Sequence, residues 1–145
     1  MEPLLLAHYV VNYCISTLGK PVTNLELQKI LYFLQVDSYR NQNAPLLQTD
    51  SFEAWPLGPV VREVYLNYSI NGGNPLLTIE SRVPNEVLPS FVNNVIGSCS
   101  KLSASAMVAL SHRPGCAWSK VYRAGYKEPI PEKFIVLESR ETAAL

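Results

Sequence analysis

Phe52-Glu53-Ala54-Trp55-Pro56-Leu57-Gly58-Pro59-Val60-Val61-Arg62-Glu63-Val64-Tyr65 is the stretch that decides how the rest of the chain is arranged. Its first half alternates apolar and polar residues and carries the β-favouring aromatics Phe52 and Trp55. A Pro-Leu-Gly-Pro corner follows. Pro59 fixes φ near a helical value and lacks the N–H that a first helical turn leaves unpaired, so the corner is expected to open a helix at Pro59. Strand, corner and helix in quick succession make a rigid feature around which other elements pack, or on which something binds.

Working back towards the start, Leu6, Tyr9, Val10, Tyr13, Cys14 and Leu18 recur at helical spacing and predict a helix over 4–18, stopped by Gly19. His8 lies at the margin of this stripe and reads as a histidine of the core boundary. Thr23 and Glu26 form a capping box, with Val22 and Leu27 spaced as a hydrophobic staple, and so fix the start of a second helix. Leu27, Ile30, Leu31 and Leu34 are its buried stripe, widened by Tyr32, Phe33 and Val36, which makes this helix central. Gln28 and Lys29 are expected on its wetter edge. The polar run Asn41 to Pro45 ends it, and 46–55 reads as a short strand.

Beyond the corner, Val61, Val64, Tyr65 and Tyr68 mark the buried face of a third helix, which Asn71-Gly72-Gly73-Asn74-Pro75 terminates. Residues 76–83 (Leu-Leu-Thr-Ile-Glu-Ser-Arg-Val) read as a second strand whose natural partner precedes Trp55. Asn85 can cap a fourth helix to Ser98, with Pro89 in its first turn. Ser103 can cap a fifth, and 117–124 reads as a sixth carrying Trp118, Val121 and Tyr122. Phe134-Ile135-Val136-Leu137 is an apolar tail segment that docks on the core. The expected fold is mainly α (α+β): one domain spanning 1–145, with about six helices and a small two- or three-stranded β element.

Composition narrows the function classes. At 145 residues and 48% apolar content the chain can bury a sizeable core. No apolar run approaches the ~18 residues of a membrane helix. The start has no basic n-region ahead of its leucines, so no membrane association and a cytoplasmic location are expected. Cys14, Cys99 and Cys116 are odd in number and widely spaced, which suggests neither a disulfide framework nor a zinc site.

Net charge is zero, yet 87–127 carry Lys101, Arg113, Lys120, Arg123 and Lys127 and no acid. With Trp118, Tyr122 and Tyr126 interleaved, that segment could clamp a nucleic-acid backbone and stack bases. Neutral overall charge favours instead aromatics in the core with the bases as their solvated flank. His112 and Cys116 are four apart, but Pro114-Gly115 interrupts any helix between them and no third orienting residue is evident. With no metal-ligand cluster and no glycine-rich phosphate cradle, the expectation is a protein without enzymatic activity, cofactor or metal.

Three blocks carry a resemblance: Leu25-Glu26-Leu27-Gln28-Lys29-Ile30-Leu31-Tyr32-Phe33; the stretch from Phe52 to Tyr65; and Leu110-Ser111-His112 followed by Ala117-Trp118. In this order and spacing the chain resembles the Panacea domain family, which includes SocA- and GepA-like phage-associated proteins. It departs from the family pattern at Leu57, where an aromatic is frequent, and at Glu26, where lysine is common. The resemblance implies an antitoxin that neutralises a cognate toxin by direct protein contact. It also leaves open a phage- or mobile-element-encoded inhibitor or adaptor that binds a host defence protein or a protease. The partner-binding candidates on these blocks are Lys29, Tyr32, Trp55, Arg62, Glu63, Tyr65, His112 and Trp118. Arg62 and Glu63 fall off the buried stripe, whereas Trp55, Tyr65 and Trp118 read either as interface or as the core joining strands to helices.

Overall fold

The computed structural model describes residues 1–145. Seven helices surround one small antiparallel sheet: α1 (Pro3–Ser16), α2 (Asn24–Gln42), β1 (Glu53–Trp55), β2 (Gly58–Val60), α3 (Arg62–Tyr68) with a 3-10 turn at Ser69–Asn71, α4 (Ser90–Cys99), α5 (Ala104–Ser111), α6 (Ala117–Val121) and α7 (Glu132–Glu141). The mainly α architecture with a two-stranded β element is as the sequence predicts. The apolar tail forms a seventh helix of its own, packed on α2 and α6.

The second helix is the axis of the molecule. Thr23 caps it as expected: its hydroxyl accepts from the Glu26 N–H, and the Glu26 carboxylate accepts from the Thr23 N–H. α1, α3, α4, α5, α7 and β2 all pack against it. Leu27, Ile30, Leu31, Tyr32 and Leu34 are enclosed with Leu6, Val10, Val92, Ile96 and Ile135 in a core of 30 buried residues. At about 25 cal/mol per Å2 of apolar surface removed from water, this burial is the main force holding the helices together.

A helix enclosed on every side has no wet edge, and this overturns the expectation for Gln28 and Lys29, both fully buried. The buried polar residues of α2 instead clamp irregular backbone. Gln28 Oε1 accepts from the Val61 N–H at 3.0 Å and Lys29 Nζ donates to the Pro59 carbonyl at 2.8 Å. Gln35 Oε1 accepts from the N–H groups of Leu46 and Leu47. Each satisfies a backbone group that burial would otherwise leave unpaired.

The corner also differs from its sequence reading. Pro59 does not open a helix: Pro56-Leu57 is a two-residue turn, Gly58–Val60 returns as β2, and α3 begins at Arg62. The register pairs Glu53 with Val60, Ala54 with Pro59 and Trp55 with Gly58. Pro59 costs the ladder nothing, because the Ala54 N–H points away from it and donates to the Glu128 carbonyl at 2.8 Å. The partner on the far side of β1 is thus the segment around Pro129 and not 76–83, which lies outside any sheet. Pro89 sits at the N-cap position of α4, so that helix starts at Ser90 and not near Asn85.

Candidate functional site

The three sequence blocks meet at the β1–β2 hairpin. α2 holds it from below through Gln28 and Lys29, and α6 holds its other flank, where Trp118 Nε1 donates to the Trp55 carbonyl at 2.7 Å. Gly58 is the point of closest approach. Its φ of +112° is one that side-chain-bearing residues rarely adopt, and a Cβ there would lie 2.7 Å from Ser111 Oγ and 2.9 Å from Lys29 Cε.

Trp55 is half-buried and presents its outer surface among charges. Arg62 lies 5.5 Å and Lys127 4.1 Å from its ring centroid, and Tyr65 packs against it at 4.8 Å. Its Nε1 donates to Glu53 Oε1 at 2.9 Å, and Arg62 donates to both Glu53 oxygens. Burial works to raise the Glu53 pKa, but the bonds from Arg62 and Trp55 outweigh it and hold the carboxyl below the usual range. Arg62 and Glu63 are exposed on the first turn of α3. Beside them a groove of about 520 Å3 runs between α2, the hairpin and α3, with Leu25, Gln28, Trp55, Pro56, Leu57 and Tyr65 among its walls. The Leu57 side chain stands 54% exposed at its lip.

The remaining candidates lie deeper. Tyr32 is fully enclosed and donates to Glu138 Oε1 at 2.5 Å, a carboxylate that also accepts from the Ala117 N–H at 2.8 Å. Lys29 and Tyr32 therefore support the hairpin and the α7 contact from within, out of reach of a partner. His112 is stacked 3.6 Å from Trp118, whose other neighbour in the stack is Tyr122 at 4.5 Å. Burial lowers the His112 pKa, helped by the Lys29 charge, and its Nε2 is buried without a hydrogen-bond partner.

The stack also bears on nucleic-acid binding. Both faces of Trp118 are taken by rings of the same chain, so it offers no platform for a base. Arg123 pairs with Glu128 at 3.0 Å, Lys120 lies over Phe134, and Lys127 lies over Trp55. Burial first, and the Glu138 charge second, push the Cys116 thiol up to about 11, so it stays protonated at neutral pH. No three His, Cys, Asp or Glu side chains gather as a metal-holding group.

Against known proteins, residues 27–119 match the family model described as Antitoxin SocA-like, Panacea domain. The match runs from the first turn of α2 through the hairpin to α6, so it contains the α2, hairpin and α6 residues of the site, while Lys127 lies beyond it. The chain belongs to the SocA-like Panacea family. Antitoxin SocA of Caulobacter vibrioides (strain NA1000 / CB15N) is 31% identical over 121 residues, which cover 73% of this chain. The chain spans 63% of the length of that relative. No solved structure matches. No helix of this Panacea chain is long and apolar enough to cross a membrane.

Sequence reasoning missed Glu53 and Lys127 as members of the site. Glu53 carried a signal, since strand alternation puts it on the same side as Trp55. Lys127 carried none, because only the tertiary path of 122–129 brings it back to the hairpin.

Proposed function

We propose that this chain is an antitoxin that neutralises a cognate toxin by direct protein–protein binding, with Trp55, Arg62, Glu63, Tyr65 and Leu57 on the contact surface. The observation that carries the reading is the convergence of the family's three blocks on a rigid, half-exposed hairpin flanked by an apolar groove. A Trp edge held between Arg62, Lys127 and Tyr65 is already ordered, so a partner that covers it loses little conformational entropy in doing so. The Glu53–Arg62 pair and Glu63 form a charged rim around that centre, an arrangement suited to selecting a partner and setting its orientation. The name of the relative, an antitoxin, supports the same role.

The protein acts without chemistry of its own, so its effect on a toxin is stoichiometric. The test is co-expression with the product of the adjacent gene: growth is rescued and the two proteins co-purify. Turnover of a substrate by the purified chain alone, or the absence of rescue, would sink the reading. Binding to a host defence protein or protease with no adjacent toxin would favour the inhibitor or adaptor role.

A further inference from the structure

The last helix, α7, sorts its charges by side. Ile135, Glu138 and Ser139 are buried on its inner face. The Glu138 carboxylate is taken by the Tyr32 hydroxyl and the Ala117 N–H, and the Glu132 carboxylate by the Gln35 amide and the Tyr39 hydroxyl. The outer face keeps the bases. Lys133 and Arg140 are exposed there, two helical turns apart and so about 10 Å apart along the axis. Lys120 of α6 reaches the same face: its ammonium lies 5.5 Å from the centroid of the Phe134 ring, and that of Lys133 lies 5.4 Å from it.

No carboxylate of the chain pairs with these bases. The salt bridges of the molecule engage His8, Arg40, Arg62, Arg82 and Arg123, and none reaches Lys120, Lys133 or Arg140; Glu141, exposed at the far end of α7, pairs with none of them. Two like charges that converge on one ring repel each other, so a carboxylate placed beside them would be held by both. Between the bases the surface is apolar. Val136 and Leu137 are half-buried and stand outside both the core and the side chains packed on it. With Lys133, Phe134 and Arg140 they line a shallow depression of about 520 Å3 that shares no residue with the hairpin groove.

We propose that this face binds an acidic amphipathic segment of a protein partner, whose carboxylates pair with Lys120, Lys133 and Arg140 while an apolar side chain fills the depression over Val136 and Leu137. Charge complementarity selects this occupant. A nucleic-acid strand would bring the charge but nothing to cover the apolar floor, and the Phe134 ring on which a base would stack is already engaged by two ammonium groups. An anionic bilayer is held by apolar side chains that project into it, whereas Phe134, Val136 and Leu137 are half-buried and form a floor. The site stands apart from the hairpin surface and does not rest on the role proposed for it.

Fluorescence anisotropy with a rhodamine-labelled peptide of repeated Glu-Ala-Gln-Leu-Leu-Gln-Ala units tests this on the full chain. The glutamates of that peptide recur every two helical turns, as Lys133 and Arg140 do. Saturable binding is expected at low salt, weakening as salt is raised to the physiological range. The double variant Lys120→Glu, Lys133→Glu should bind at least about tenfold more weakly with its far-UV spectrum unchanged, since both side chains are exposed. Arg140→Gln, which reverses no charge, should give a smaller loss. The Arg62→Glu, Glu63→Arg variant should bind the peptide as the wild type does, which separates this surface from the hairpin. No binding at low salt, undiminished binding by the Lys or Arg140 variants, or tighter binding to a single-stranded oligonucleotide or to phosphatidylserine vesicles than to the peptide would overturn the proposal.

Discussion

Lys29 is the residue whose placement most changes the reading of this chain. Its ammonium is enclosed with one carbonyl partner and no counter-ion, and burial lowers its pKa to about 7. In the unfolded chain the amine keeps its proton up to about pH 10.4. Between these values the unfolded state binds more protons than the folded one, so stability attributable to Lys29 rises with pH through this window and is flat below about pH 7. Urea titrations of wild type and Lys29→Met should show the wild type gaining on the variant by about 1 kcal/mol per pH unit from about pH 7 to 9. A difference that stays constant with pH would show that the amine is not protonated in the unfolded state alone. Tyr32 makes a complementary case. Tyr32→Phe removes one of the donors to the buried Glu138 carboxylate and should cost about 1.5–3 kcal/mol in unfolding free energy, although it deletes a single atom. Neither effect was legible from residue type. A lysine beside a glutamine on a helix suggests solvent, and only the enclosure of α2 by six other elements turns both into clamps.

Among the elements, the hairpin and α2 depend on each other. Gly58→Ala should destabilise the protein by about 2–4 kcal/mol, since the added methyl meets Ser111 and Lys29 and the backbone sits at a φ unfavourable for alanine. Loss of the Trp55–Trp118 coupling should accompany it and show as a change in near-UV circular dichroism. Thr23→Ala should cost about 1 kcal/mol by removing the capping box, read as a shift of the urea midpoint without a change in slope. The cap was fully legible, because a capping box is a local device whose parts lie three residues apart. So was the apolar stripe of α2, whereas of the α1 stripe Leu6, Val10 and Cys14 are buried as expected and Ala7 and Val11 join them unforeseen. The hairpin was not: Pro59 satisfies the rules for a helix start and also those for a strand position whose N–H is not needed. The choice between them rests on Glu128, which takes up the Ala54 N–H from far along the chain. The same non-local cause removed 76–83 from the sheet, since the place beside β1 was already occupied.

At the scale of the molecule, buried and exposed polar groups divide the work. Inside, Gln28, Lys29, Gln35 and Glu138 fix loops and helix ends, and they make the hairpin rigid. Outside, Trp55 with Arg62, Glu63 and Lys127 forms the surface proposed to face a partner. The family blocks converge on this region, but they mix buried residues such as Lys29 and Tyr32 with exposed ones such as Arg62 and Glu63. Sequence alone could not separate Lys29 and Tyr32 from Arg62 and Glu63, because a shared block records position along the chain and says nothing of depth. The central claim is that the surface half of this set binds a toxin. It is tested most directly by the affinity between the chain and the adjacent gene's product, measured by calorimetry for wild type and for the Arg62→Glu, Glu63→Arg double variant. The variant loses the exposed Arg62 pair with Glu53, so it should unfold at a somewhat lower midpoint yet remain folded under the assay conditions, while binding at least about tenfold more weakly. Equal affinity in the two proteins would contradict the account.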